Sequence, residues 1–304
     1  MSNSGRSSAV GLALVVGLSL LWGINWPMLK IGLAEIPPFT FRALMLGLGG
    51  PCLLAIVRAM GTDIRAPRNQ WWPLFYASMT MLTAWMIVSS YAIPMVTSGD
   101  AAILAYSMPA WSALFGAIIL KERFTGRRFA GLAIGLAGVA VLLTRSFAAI
   151  GSSLDGALLM SLAAAVWGFG IVLHKSVRWT MPVAAVAGWQ VTLAGAAMTI
   201  GSLIFERPSF GHVTALGWFS VGFNVLAIAV LGYIMWFRIM ELYPATVASV
   251  GVLLTPIIGV ALGAWWLGES VGWRELVSLA LVVGAIALVV FERSPPPRPA
   301  TVLE

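Results

Sequence analysis

Residues 7–29 run between Arg6 and Lys30 without a single charge. About twenty predominantly apolar residues cross the hydrocarbon core as a helix, so this run restricts the chain to structures that place a helix in lipid. Composition generalises the point. Of 304 residues, 60% are hydrophobic and 10% charged, against about 25% charged in an ordinary soluble domain. A secretory signal is the competing reading of residues 7–29, because Arg6 precedes an apolar stretch. The stretch is longer than a usual signal core, and no small-residue cleavage site leads into polar sequence. The lone cysteine, Cys52, lies inside an apolar run and reads as a small buried hydrophobe; no disulfide framework is expected.

Apolar spans are expected at 9–29, 39–59, 72–93, 101–120, 129–143, 154–173, 183–205, 213–237, 245–267 and 271–291. The connections are too short for a soluble domain, and the Pro-rich tail 295–304 reads as disordered. The net charge of +7 does not indicate nucleic acid, because the basic residues sit at the ends of apolar runs. They report orientation instead. With the N-terminus inside, thirteen Lys and Arg fall in cytoplasmic positions: Arg6, Arg58, Arg65, Arg68, Lys121, Arg123, Arg127, Arg128, Lys175, Arg178, Arg238, Arg293 and Arg298. Four fall outside (Lys30, Arg145, Arg207 and Arg274), with Arg42 near the outer end of the second span. Both termini are therefore expected in the cytoplasm. Lys121-Glu122-Arg123 and Arg127-Arg128 read as topology determinants.

The chain also repeats itself. A shift of 147 residues lays 100–143 on 247–290 without a gap. Pro109 meets Pro256, Gly116 meets Gly263, Leu120 meets Leu267, Glu122 meets Glu269 and Arg127 meets Arg274. A shift of 145 lays Trp22-Gly23 on Trp167-Gly168 and Lys30 on Lys175. Each unit holds five spans, and an odd number makes the second unit enter the membrane with opposite polarity. Inverted repeats of this kind give secondary transporters two packings around a midplane site. The expected architecture is an all-α membrane protein of ten transmembrane helices, with inverted five-helix repeats at 1–147 and 148–294.

The pattern Pro109, Leu120-Lys121-Glu122, Arg127, Gly131, Gly135, Gly138, echoed as Pro256, Leu267-Gly268-Glu269, Arg274, resembles the EamA-type domain. Two such domains, ten spans and Trp-Gly in spans one and six resemble the drug/metabolite transporter superfamily over nearly the whole chain. Among its members the chain is most similar to bacterial inner-membrane exporters of amino acids and aromatic metabolites. The second unit departs from the pattern at Gly268 and Ser278, where the first has Lys121 and Gly131. These motifs are architectural and carry little about substrate.

No metalloprotease, thiol-redox or phosphate-loop motif is present, and His174 and His212 lie far apart in sequence. An enzyme, a cofactor and a metal site are therefore not expected. Transport residues are sought at breaks in the spans. Pro27, Pro94, Pro109 and Pro256 each remove a helical hydrogen bond and free the carbonyl of Gly23, Ser90, Ala105 and Val252 in turn. Broken helix in a membrane is tolerated where it faces protein or a wet cavity. A packing kink is the plainer reading of any single proline; the match of Pro109 with Pro256 favours a shared hinge.

Ser19, Trp22 and Asn25 share a helical face, as do Trp85 and Ser89, and Trp167, Ile171 and His174. Tyr106, Asn224, Tyr233, Ser249 and Thr255 add polar or aromatic groups. The expected substrate cavity comprises Ser19, Trp22, Asn25, Trp85, Ser89, Tyr106, Trp167, His174, Asn224, Tyr233 and Thr255, with aromatic rings gripping an apolar solute and a few polar groups orienting it. Mid-span rings and interfacial anchors are equally compatible with Trp22, Trp85, Tyr106 and Trp167. Trp71, Trp72, Trp179, Trp265, Trp266 and Trp273 read as interfacial.

Ionisable groups at membrane depth are functional by default. The candidates are Arg42, His174, Asp100 and Glu241. Arg42 binds a substrate carboxylate or snorkels to the outer headgroups, and snorkelling is the favoured reading. So few titratable groups argue against proton coupling; facilitated diffusion and exchange fit equally. Gly131, Gly135 and Gly138 form a small-residue face suited to intramolecular packing or a homodimer, so monomer and homodimer both stay open. The partners expected are a small-molecule substrate and the lipid bilayer. The leading function is export of amino acid-like or aromatic metabolites by alternating access, in a bacterial inner membrane. The alternatives are efflux of lipophilic drugs or cations and a lipid-modifying membrane enzyme.

Overall fold

A computed structural model of the chain describes residues 3–120, 126–148, 153–235 and 245–290. Lys121-Glu122-Arg123, Arg238, Glu241, Arg293, Arg298 and the 295–304 tail lie outside the described residues, as do the side chains of Arg127, Arg128 and Ser249. Among the described residues every regular element is helical. Prolines and glycines set the boundaries. The first helix, α1 (Asn3–Glu35), stops just before Pro37, whose ring pushes the preceding residue out of helical geometry. Pro38 then opens α2 (Pro38–Ala59), where a missing N–H costs nothing. Just past the end of that helix at Ala59, Gly61 takes a φ of +86°, which favours a residue without Cβ.

The remaining helices are α3 (Trp71–Ala77), α4 (Ala84–Ala92), α5 (Ser98–Ala105), α6 (Met108–Ile119), α7 (Gly126–Ala148), α8 (Ser153–Ser176), α9 (Val183–Phe205), α10 (Ala215–Phe223), α11 (Ala245–Leu267) and α12 (Trp273–Val290). Among the described residues, six helical segments are long and apolar enough to cross a bilayer: Ala13–Glu35, Pro38–Ala59, Ser98–Ile119, Leu154–Ser176, Val183–Phe205 and Ala215–Met235. Phe129–Leu142 and Leu254–Leu267 are shorter apolar helices. Two π-helical stretches interrupt the α-helical ladder, at Ser78–Thr83 between α3 and α4 and at Asn224–Gly232 after α10. Shifted by 147, residues 78–83 fall on 225–230, inside the second stretch. Such bulges commonly mark functional positions in helices.

Small residues decide which helices touch. α2 packs along α9, α7 along α12, α1 along α11, and α8 against α4 and α6. A Cβ on Gly195 would come within 2.6 Å of the Gly47 backbone nitrogen, and one on Gly50 within 2.6 Å of that of Thr192. These two contacts exchange under the shift of 145. A Cβ on Gly138 would lie 3.1 Å from Val282, and one on Gly135 would lie 3.5 Å from Ala285. The Ser278 hydroxyl donates to the Gly138 carbonyl at 2.7 Å. Gly135 and Gly138 therefore serve packing within one chain.

Three expectations require correction. Pro109 is not a mid-helix break: α5 ends at Ala105, a turn spans Tyr106 and Ser107, and Pro109 sits in the first turn of α6. There it removes no helical bond, so it frees no carbonyl of Ala105. Pro256, by contrast, lies inside the continuous α11, and Pro27 inside α1. The matched prolines thus occupy different backbone settings. Pro94 sits in a short 3₁₀ turn, Ile93–Met95. Cys52 is exposed on α2 rather than buried; lipid accepts a small apolar side chain as readily as a protein core does. Arg42, the third, belongs to the site described next.

Candidate functional site

Of the eleven expected cavity residues, five side chains join one connected apolar cluster. Trp85 and Tyr106 are buried within it, and Trp22, Trp167 and Tyr233 pack against it. Trp85 meets Trp167 edge to face with centroids 5.4 Å apart, which links α4 to α8. Pairs of this geometry contribute about 0.5–1.5 kcal/mol beyond their burial. Tyr106, in the turn between α5 and α6, meets Trp26 edge to face at 6.5 Å. Its hydroxyl is hydrogen-bonded to Thr255, which is buried on α11. Trp26 was not among the expected residues. Its i+4 spacing from Trp22 on α1 was the available signal.

Polar groups border this cluster. Ser19 donates to the Val15 carbonyl at 2.7 Å. Asn224 donates to the Ser220 carbonyl at 3.0 Å from the start of the second π-helical stretch. Among the described residues, the side-chain carbonyl oxygens of Asn25 and Asn224 are buried without a hydrogen-bond partner. Buried acceptors left open are costly.

Arg42 is the largest departure from expectation. It does not snorkel: the residue is 2% exposed, and among the described residues its partners are all neutral. Nε donates to Ser90 Oγ at 2.7 Å and a terminal nitrogen to Ser89 Oγ at 3.4 Å. The other terminal nitrogen approaches Met45 Sδ at 3.6 Å. The face of α2 that carries Arg42 also buries Phe41, Met45 and Leu46, and this turns the side chain inward. Helix rotation, which no charge count reports, decided the matter. Ser89, which accepts from the guanidinium, lies one helical turn beyond Trp85 on α4.

His174 stands apart from the cluster. It sits in the last turn of α8, with Nδ1 2.9 Å from Gln190 and its ring 5.0 Å from Trp179. Trp179 folds onto this histidine, whereas Trp71, Trp72, Trp265, Trp266 and Trp273 are exposed.

A second polar constellation closes one end of the helix array. Lys30 donates to Glu269 at 2.9 Å and to the Val96 carbonyl at 2.8 Å. Glu269, in the loop between α11 and α12, also accepts from the Ser98 backbone N–H at 2.7 Å and from the Ser98 hydroxyl at 2.7 Å. A carboxylate at the first turn of α5 offsets the positive end of that helix. Burial disfavours the charged carboxylate, but the Ser98 backbone N–H, the Lys30 ammonium and the Ser98 hydroxyl outweigh it and hold its pKa below the usual range. A Cβ on Gly263 would overlap this carboxylate, so glycine is what permits its approach. The repeat had matched Glu269 with Glu122 and Lys30 with Lys175 without pairing the two.

The EamA-like transporter family model matches the chain twice, over residues 9–144 and 154–291. Curated relatives resemble it over nearly their full length. The uncharacterized transporter YoaV of Bacillus subtilis (strain 168) is 24% identical over 275 residues, covering 90% of this chain and 92% of that protein. The uncharacterized inner membrane transporter YedA of Escherichia coli (strain K12) is 27% identical over 283 residues, covering 90% and 88%. A protein of Salmonella typhimurium named "probable amino-acid metabolite efflux pump" is 24% identical over 298 residues, covering 92% and 94%. One solved crystal structure superposes with a TM-score of 0.66 at 22% identity, over 92% of this chain and 96% of that one, which shows a common fold.

Proposed function

This chain belongs to the EamA-like transporter family, and from that premise we propose that it exports small amino acid-like or aromatic metabolites across the bacterial inner membrane by alternating access. In this reading ten helices span the membrane as two inverted five-helix units, 1–147 and 148–294, with both termini cytoplasmic. The observation that carries it is a pair of exchanged contacts. A Cβ on Gly23 of α1 would overlap Ile258 of α11, and one on Gly168 of α8 would lie 2.8 Å from Trp111 of α6. Shifts of 145 and 147 convert one contact into the other, so each unit lends its first helix to the fourth span of its partner. Two equivalent interfaces are what a rocking motion about a shared midplane requires.

Three further observations support the reading. The Lys30–Glu269 contact joins the two matched segments at one end, while Lys175, the counterpart of Lys30, is exposed. The aromatic cluster suits an apolar side chain, and the open Asn25 and Asn224 oxygens suit an ammonium. The name of the Salmonella relative supports the amino-acid class, and that of YedA the inner membrane. The buried cation of Arg42 disfavours efflux of lipophilic cations.

Flux in proteoliposomes tests the proposal. With a panel of aromatic and aliphatic amino acids, saturable counterflow of at least one is expected, with only a modest change when a pH gradient is imposed. If lipophilic cations move and no amino acid does, the substrate assignment is wrong. Strong proton-driven accumulation would contradict the coupling assignment.

A further inference from the structure

We infer that Arg42, held between Ser89 and Ser90, is the anchor for the carboxylate of the transported solute. The inference rests on the export reading and names the chemical group that its site recognises. A guanidinium carries five N–H donors and is always charged. Arg42 spends its contacts on two hydroxyls and a thioether, with the Phe41 ring centroid 5.9 Å from its central carbon. Among the described residues no carboxylate reaches it. A charge taken out of water without a counter-ion is heavily penalised, and lipid removes the escape to solvent.

A purely structural pin between α2 and α4 does not need that charge. A neutral amide donor would tie the two serine hydroxyls at much lower cost. The positive charge is useful to a group that arrives with a negative one. Arginine suits such a group because its planar fork matches the two oxygens of a carboxylate. Neither serine hydroxyl donates to a described partner, so both protons are available to a ligand oxygen.

Charge balance selects the class of anion. Lys30 is engaged by Glu269, so Arg42 offers a single positive charge. A monoanionic carboxylate neutralises it, whereas a dianionic phosphate would leave a net negative charge in the protein interior. Position selects the rest of the ligand. Ser89 and Trp85 stand one helical turn apart on α4, and Trp85 touches Trp167. A solute whose carboxylate meets Arg42 therefore presents its apolar part to the tryptophan pair.

The test compares 3-phenylpropionate with 3-phenylpropanamide, which differ only in the charged group, by thermal stabilisation of the full-length protein in detergent. The wild type should bind the carboxylate at least tenfold more tightly. Arg42→Gln should abolish that preference while leaving the amide's affinity within about threefold. Arg42→Lys keeps the charge but not the fork, and should reduce the preference severalfold; it carries the test if Arg42→Gln does not fold. Equal affinity of the wild type for the two probes, or a preference unchanged in Arg42→Gln or Arg42→Lys, overturns the inference. The export reading fails separately: a carboxylate preference that depends on Arg42, with no amino-acid flux in proteoliposomes, keeps the anchor and removes the transport assignment. Flux that persists with an unchanged preference in Arg42→Gln does the reverse.

Discussion

Trp85 and Trp167 stand edge to face with their centroids 5.4 Å apart, one on α4 in the first family-matched segment and the other on α8 in the second. The contact crosses between two segments that the sequence marks as copies. Gly170, near Trp167 on α8, lets that helix approach the first π-helical stretch: a Cβ there would lie 2.9 Å from the Met81 backbone nitrogen. Aromatic contact and close backbone approach thus occur side by side at the seam between the copies.

The seam predicts an ordering of glycine substitutions. A Cβ on Gly168 would lie 2.8 Å from the Ser112 backbone nitrogen, whereas one on Gly23 would meet the Ile258 side chain. The Ile258 Cβ, 2.6 Å away, is fixed to its own backbone and moves aside no more easily than Ser112, so Gly168→Ala and Gly23→Ala should each cost on the order of 1–3 kcal/mol of overpacking. Gly284 has nothing within 4 Å of its would-be Cβ, so Gly284→Ala should be neutral or mildly stabilising. Unfolding temperatures in one detergent check the ordering. If Gly284→Ala is the most damaging of the three, the packing account of the seam is wrong.

The Lys30–Glu269 contact predicts a pH dependence. The folded protein holds the Glu269 carboxyl below its usual range. Its contribution is therefore complete above about pH 4.3, the ordinary glutamate value, and is lost as pH falls through the lowered folded-state value. Removing a charge-assisted hydrogen bond costs roughly 1.5–3 kcal/mol, and the Glu269 side chain is 9% exposed against 29% for Lys30. Glu269→Gln should lower the melting temperature at pH 7 and flatten the wild type's decline in acid. Equal acid profiles for the two proteins would show that the contact contributes no stability.

Charge-free runs made the spans legible in the sequence, because lipid tolerates little else over that length. Residues 78–83 and 225–230, which the shift of 147 superposes, share a π-helical conformation that nothing in their chemistry announced. Arg42 and Cys52 were misread for one reason. Facing lipid and facing protein are both apolar surroundings, so hydrophobicity does not fix helix rotation within a membrane. Glu269 and Lys30 are 239 residues apart, and only the folded chain brings them together. Pro109 was read as a kink because the sequence does not reveal that α5 has already ended at Ala105.

The proposed topology makes a prediction about sidedness. In a variant with Cys52 replaced by Ala, single cysteines at the exposed positions Arg65 and Gly211 should react with a membrane-impermeant maleimide from opposite faces. Arg65→Cys should react from the cytoplasm and Gly211→Cys from outside. Labelling of both from one side contradicts the ten-span, inverted arrangement.

The aromatic cluster as the place where solute binds is the central claim, and substitution at matched protein levels tests it most directly. Trp22, Trp85, Tyr106 and Trp167 belong to the cluster, whereas Trp265 is 83% exposed. Truncating a ring that grips the solute removes about 1.5–3 kcal/mol, or roughly a tenfold to hundredfold weakening. Counterflow of the best amino-acid substrate should show that loss in Trp85→Ala, Tyr106→Ala and Trp167→Ala, and leave Trp265→Ala near wild type. Equal losses in Trp265→Ala and Trp85→Ala, with both proteins folded and inserted, would contradict the account.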